Sequence, residues 1–240
     1  MERMIETRTR PGGAEESKPC ESIRDPQRCH YAVPMKDKIA LRFKHNMTRV
    51  ENLIDIYNAS SRSTDAKVKN NARDVLRSAV VFLHAAQEDL LRGLIEYRLP
   101  TQPACAYENV PFGNSVKDKG KEKQTKDKIT IAELALAKDK SVAEVLQDAT
   151  KTFLLRKTFN NMADVDDALA RMGLRSKKLK SLAKDTLPMM ERRHQIVHRA
   201  DRSDLAEDDH GQKWHIKKDE VVRWKEAVQK FADAMLKACV

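Results

Sequence analysis

Between about Asp65 and Arg98 the chain carries an apolar pattern too long and too wide for anything but a central helix. Val68, Ala72, Val75, Ala79, Leu83, Ala86, Leu90, Leu94 and Tyr97 fall at steps of three and four, which return side chains to one helix face. Val80, Val81, Phe82 and Leu91 widen the stripe until little of the middle is left to face water. Such a helix has to be covered on most sides by other elements. Its ends are marked chemically. The loop Asn58-Ala59-Ser60-Ser61-Arg62-Ser63-Thr64 breaks the preceding pattern and supplies capping side chains. Leu99-Pro100 ends the helix, because proline lacks a donor and disfavours helix just before itself.

The covering elements read as helices too. One spans about Lys36 to Tyr57, with Ile39, Phe43, Met47, Val50, Ile54 and Tyr57 in register. Ser141-x-x-Glu144 is a capping box leading into Val142, Val145, Leu146, Ala149 and Phe153. A shorter helix from about Met162 to Met172 stops at Gly173, a natural left-handed cap. A basic turn from Arg175 to Lys184 then leads to a helix opened by Pro188. The closing helix, about Lys218 to Ala238, sets Val221, Trp224, Val228, Phe231 and Met235 on one face. Nothing alternates convincingly at period two, although Gln212-Lys213-Trp214-His215-Ile216 could form a short extended piece. With only 7 glycines and 8 prolines among 240 residues, a sandwich or barrel is disfavoured. The expected fold is an all-α helical bundle over residues 36–240 with a mobile loop at about 101–128. Residues 1–35, carrying Pro11-Gly12-Gly13, Pro19, Pro26 and Pro34 and no period, are expected to form a flexible tail.

Charge narrows the partners. The net charge is +10, and Arg171 to Arg199 alone holds nine Lys or Arg against two Asp or Glu, a balance of +7. Arg192, Arg199, Lys177, Lys178 and Lys180 in that stretch are candidates for meeting a polyanion, the plain alternative being a solvated helical face. Lys117-Asp118-Lys119-Gly120-Lys121-Glu122-Lys123 reads more simply as solvated loop than as a nucleic-acid contact. Cys20, Cys29, Cys105 and Cys239 lack C-x-x-C spacing, and Cys29-His30 beside Cys20 is short of ligands for a metal. The N-terminus, with Glu2, Arg3, Glu6, Arg8 and Arg10, lacks a signal-peptide core, and no apolar run approaches the ~18 residues that span a bilayer. A soluble, cytoplasmic protein with reduced thiols and no membrane partner is expected.

Within the basic stretch, Glu191-Arg192-Arg193-His194-Gln195-Ile196-Val197-His198-Arg199-Ala200-Asp201 holds the chemistry. Arg193 stays cationic and can fork onto a phosphate, while His198 can exchange a proton near neutral pH. The pair is a minimal kit for breaking a phosphodiester without a metal. Five helical steps set the two side chains about 140° apart, so one regular helix does not aim both at one atom. The arginine's length, or a second copy across a dimer axis, can make up the difference. The structural alternatives are a surface ion pair or a histidine held by a carboxylate such as Asp201. His194 and His198, one turn apart, also match half of a zinc site, but the glutamate of H-E-x-x-H is missing. Met190, Ile196 and Val197 read as core packing. His84 and Glu88, one turn apart on the long helix, fit either a supporting shell of the cleft or a hydrogen-bonded core pair. Trp214 and Trp224 could stack a base, Trp224 more simply joining the core.

The string Arg193-His194-x-Ile196-Val197-His198-Arg199-Ala200-Asp201 resembles the signature of the HEPN superfamily, specifically its RiboL-PSP-like branch, with His194 as the polar residue after the arginine. The run from Ser78 to Arg92 resembles that family's long second helix. Thr158-Phe159-Asn160-Asn161 and Met172-Gly173-Leu174 resemble the piece before its motif helix, and Val221-x-x-Trp224 its closing helix. The resemblance runs from about Lys36 to the C-terminus. It implies a dimeric, metal-independent endoribonuclease that needs no cofactor and is often a toxin or antiviral effector, with an antidote or regulatory protein as a possible partner. It assigns Arg193 and His198 as the catalytic pair and His194 as their support. A related branch has a modifiable tyrosine two residues after the histidine; here that position is Ala200, so that regulation is not implied. A non-catalytic helical module binding RNA or protein through the same surface is the rival expectation.

Overall fold

The structure, a computed structural model, describes residues 35–111, 135, 137–201 and 215–239. The expected tail, the lysine-rich loop, the Cys20-Cys29-His30 group and Trp214 lie outside the described residues.

Helix α1 (Met35–Ser60) and helix α2 (Ala66–Arg98) form an antiparallel hairpin. Ile39, Phe43, Met47, Val50 and Ile54 bury the expected face of α1. The two helices cross closely at Gly93, where a Cβ would stand 3.2 Å from Ile39 and 2.9 Å from the end of Arg42. Asp89 fastens the crossing by accepting from Arg42 Nε at 2.7 Å. The cap of α2 is Asp65, which accepts from the Lys67 amide at 2.7 Å, rather than a residue of the preceding loop.

Helix α2 is central, touching α1 and most of the later helices. Its buried face departs in part from the expected stripe. Leu76 and Arg77 turn inward in place of Val75, and Phe82 stays 46% exposed. The reason is tertiary: Arg77 turns inward to meet a buried carboxylate just beyond the end of a later helix. Beyond Arg98 the chain tightens into a 3₁₀ turn at Leu99–Thr101, with Pro100 inside it, and another at Ala104–Tyr107.

Helix α3 (Val142–Arg156) has both bonds of the capping box, Ser141 Oγ accepting from the Glu144 amide and Glu144 from the Ser141 amide. Its buried residues are Ala149, Thr150 and Leu154, whereas Val142 and Leu155 are 75% and 84% exposed, because only one flank of the helix from Ala149 onward is covered. Helix α4 (Met162–Arg171) ends in paired Schellman bonds, Gly173 N–H to Ala170 carbonyl and Leu174 N–H to Leu169 carbonyl. Gly173 sits at φ 73°, and a Cβ there would meet the Gln102 amide oxygen at 2.6 Å. Gln102 can swing aside but the backbone cannot, so Gly173→Ala should cost about 1–2 kcal/mol in urea unfolding. An unchanged midpoint would mean that α4 does not need this cap.

The expected basic turn is instead helix α5 (Lys177–Lys184), capped by Ser176 Oγ accepting from the Leu179 amide. It buries Leu179 and Ala183 and leaves its lysines outside. Helix α6 (Leu187–Arg199) starts with Pro188 in its first turn, and helix α7 (Lys218–Ala238) buries Val221, Val228, Phe231, Ala232 and Met235. The fold is an all-α helical bundle, without strands among the described residues. No helix among them is long and apolar enough to cross a membrane.

Candidate functional site

Helix α6 carries the Arg-His motif and is held against α2 at both ends. At its start Thr186 is buried, accepting from Gln87 Nε2 at 3.2 Å and donating to the Ala183 carbonyl at 2.8 Å. At its end the backbone turns left-handed twice, at Ala200 (φ 49°) and Asp201 (φ 58°). The N–H groups of both converge on the Gln195 carbonyl. Asp201 is 1% exposed, and its Oδ2 accepts from Arg77 Nε of α2 at 2.6 Å and from Arg192 Nη2 at 2.9 Å. Two non-glycine residues rarely sit left-handed in succession. Here the buried carboxylate between two guanidinium groups holds them there.

This clasp removes one structural alternative and corrects one expectation. Asp201 binds the two arginines rather than His198. Arg192, expected to face RNA, turns inward with its side chain only 11% exposed. Burial lowers its pKa, and the Asp201 charge opposes that shift.

Arg193 is half-buried on the other side of α6. Its Nη1 donates a long 3.4 Å bond to Asn160 Oδ1, and its shielded Nε has no hydrogen-bond partner among the described residues. Asn160 stands there because α2 grips the residue before it. Glu88 Oε1 accepts from the Phe159 amide at 2.9 Å, and His84 Nε2 meets the Phe159 carbonyl at 3.2 Å. The carbonyl can only accept, so His84 carries its proton on Nε2. Burial lowers the His84 pKa, with Arg193 and Arg92 adding to the effect while Glu88 and the Phe159 carbonyl oppose it. His84 and Glu88 are not hydrogen-bonded to each other; together they fix one backbone residue beside Arg193. Arg92 extends the hold, donating to the Lys157 carbonyl at 2.8 Å.

His198 lies on the outer side of α6. It is exposed, and its ring contacts that of His194, with centroids 4.6 Å apart and planes tilted by 42°. Arg193 and His198 thus have separate neighbours and share no hydrogen bond among the described residues. Met190 is buried and Ile196 packs against the core, but Val197, read as core, is 47% exposed. No cluster of three His, Cys, Asp or Glu suited to a metal occurs among the described residues.

Lys177, Lys178 and Lys180 are exposed on α5, with Lys180 3.9 Å from Asp166, and Arg199 is exposed in the last turn of α6. Trp224 packs against the core. Sequence spacing does not reveal Asn160, which lies 33 residues from Arg193; the contact depends on the grip of α2 on Phe159. Comparison with family models, curated proteins and solved structures finds no match for this chain.

Proposed function

We propose that this chain is a metal-independent endoribonuclease of HEPN type, acting as a homodimer in the cytoplasm as a toxin or antiviral effector. The observation that carries the reading is the state of Arg193. Its half-buried guanidinium has one long bond to a neutral amide and no carboxylate partner among the described residues. A cation shielded from water without a counter-charge is under-compensated, and a phosphate would supply what is missing.

In this mechanism the ribose 2′-hydroxyl attacks the adjacent phosphorus and the 5′-oxygen of the next nucleotide leaves. His198 moves the proton as general base or acid, and Arg193 stabilises the added negative charge on the phosphate. His194, whose tilted ring contacts that of His198, supports it. Lys177, Lys178, Lys180 and Arg199 attract the strand. Because Arg193 and His198 face different sides of one helix, the active site draws Arg193 from one subunit and His198 from its partner. Products carry a 2′,3′-cyclic phosphate and a 5′-hydroxyl.

The same separation favours a second reading, a non-catalytic module that binds RNA or a regulatory protein through the basic face. RNA of mixed sequence, incubated in EDTA beside a copy with 2′-deoxy nucleotides throughout, separates the two. The nuclease cuts the first, leaves the second intact and gives cyclic ends; equal cutting of both, or no cutting, overturns it. Charge reversal at Lys177, Lys178 and Lys180 should raise KM about tenfold or more at low salt, an effect that shrinks as salt screens the surface.

A further inference from the structure

We infer that Asn160 is a substrate-binding residue that shares one phosphate with Arg193. The inference rests on the nuclease reading and adds a residue to its site. Arginine offers only donors, so the Asn160 oxygen must face the guanidinium and its Nδ2 donors must point elsewhere. A guanidinium held on one edge by a neutral oxygen keeps its full charge and most of its donors for an anion. An anion in contact with Arg193 then has the Asn160 amide donors within the same small region. The 3.4 Å length of the existing bond fits a holding contact that yields to a better acceptor.

The surroundings argue against a loop residue that merely happens to touch an arginine. Both backbone polar groups of Phe159 are taken by α2 side chains, Glu88 on the N–H and His84 on the carbonyl. On the following side Asn161 caps α4, its Oδ1 accepting from the Asp164 amide at 2.9 Å. Asn160 is therefore clamped from both directions, with its side chain left as the variable element between two fixed residues. Half-buried and neutral, it orients the arginine without cancelling the charge. An aspartate in its place would hold Arg193 more tightly and remove it from substrate.

That contrast supplies the test. Binding of a mixed-sequence 2′-O-methyl RNA, which the nuclease cannot cut, is measured by fluorescence anisotropy across a salt series, with thermal melting alongside. Asn160→Asp should melt no lower than wild type yet bind RNA at least about tenfold more weakly, because a charge-assisted phosphate contact is replaced by an internal ion pair and an added repulsion. The salt slope should fall by about one phosphate contact. Asn160→Ala should bind less weakly than Asn160→Asp and keep the wild-type salt slope. RNA binding by Asn160→Asp equal to wild type overturns the inference. Arg193→Ala in the same series separates the failures. If Arg193→Ala loses binding and cleavage while Asn160→Asp keeps both, Asn160 alone is misassigned. If Arg193→Ala also keeps both, the proposed site falls with it.

Discussion

Cleavage of RNA by a His198→Ala protein is expected to fall by about 10²–10⁴ relative to wild type, the range supplied by a positioned general acid or base. The side chain is exposed in the last turn of α6 and its one ring neighbour among the described residues is His194, so the substitution should leave the melting temperature unchanged. Binding of uncleavable RNA should also persist, because the basic residues of α5 and Arg193 remain. Mixing His198→Ala with Arg193→Ala subunits should restore part of the activity that neither has alone, one site in the mixed dimer receiving both intact groups. Undiminished cutting by a clean His198→Ala preparation would falsify the assignment. A mixture as inactive as its parents would confine the site to one chain.

The second large effect concerns stability. Asp201→Ala should cost about 3–5 kcal/mol in chemical denaturation, because it removes the buried carboxylate that Arg77 and Arg192 share and leaves two largely buried guanidinium groups facing each other, with the more exposed Asp74 beside Arg77. The backbone adds to the loss, since alanine tolerates the left-handed conformation of residue 201 less well than aspartate does. Asp201→Asn separates the two contributions: the amide keeps the left-handed preference and loses only the charge. It should therefore fall between wild type and the alanine variant. A change below about 1 kcal/mol in Asp201→Ala would show that the clasp is loose in solution.

What could be read from sequence followed how local each signal is. The length of α2, the Ser141-Glu144 box, the Gly173 cap and the Pro188 start are all set by residues within a few positions of one another, and all occur as expected. Helix α5 was hidden because eight residues dense in lysine have too short a pattern to distinguish from a turn. The inward turn of Arg192 was hidden for a different reason. Nothing near it reveals that Arg77 will stand on the far side of Asp201, so an arginine in a basic run reads as surface. Phe82 and Val197 were overestimated as core, since apolar chemistry alone does not say which flank of a helix a neighbour will cover. At the candidate site the Arg193-His198 spacing implied an offset of about 140°, and the two side chains do have separate neighbours. The Asn160 contact needed the fold.

Arg77 and Asp201 are separated by 124 residues, and this gives the motif helix a place in time as well as in space. A chain emerging from a ribosome presents α1 and α2 early, and their hairpin closes over a short loop at little entropic cost. Throughout that interval Arg77 has for a carboxylate partner, among the described residues, only the more exposed Asp74, one turn earlier on α2, because Asp201 has not been made. The last turn of α6 can take its left-handed exit only once residue 201 has emerged and docked on α2. Its contact is among the most non-local in the bundle and is formed late. The geometry around His198 thus depends on a contact that no chain shorter than 201 residues can make.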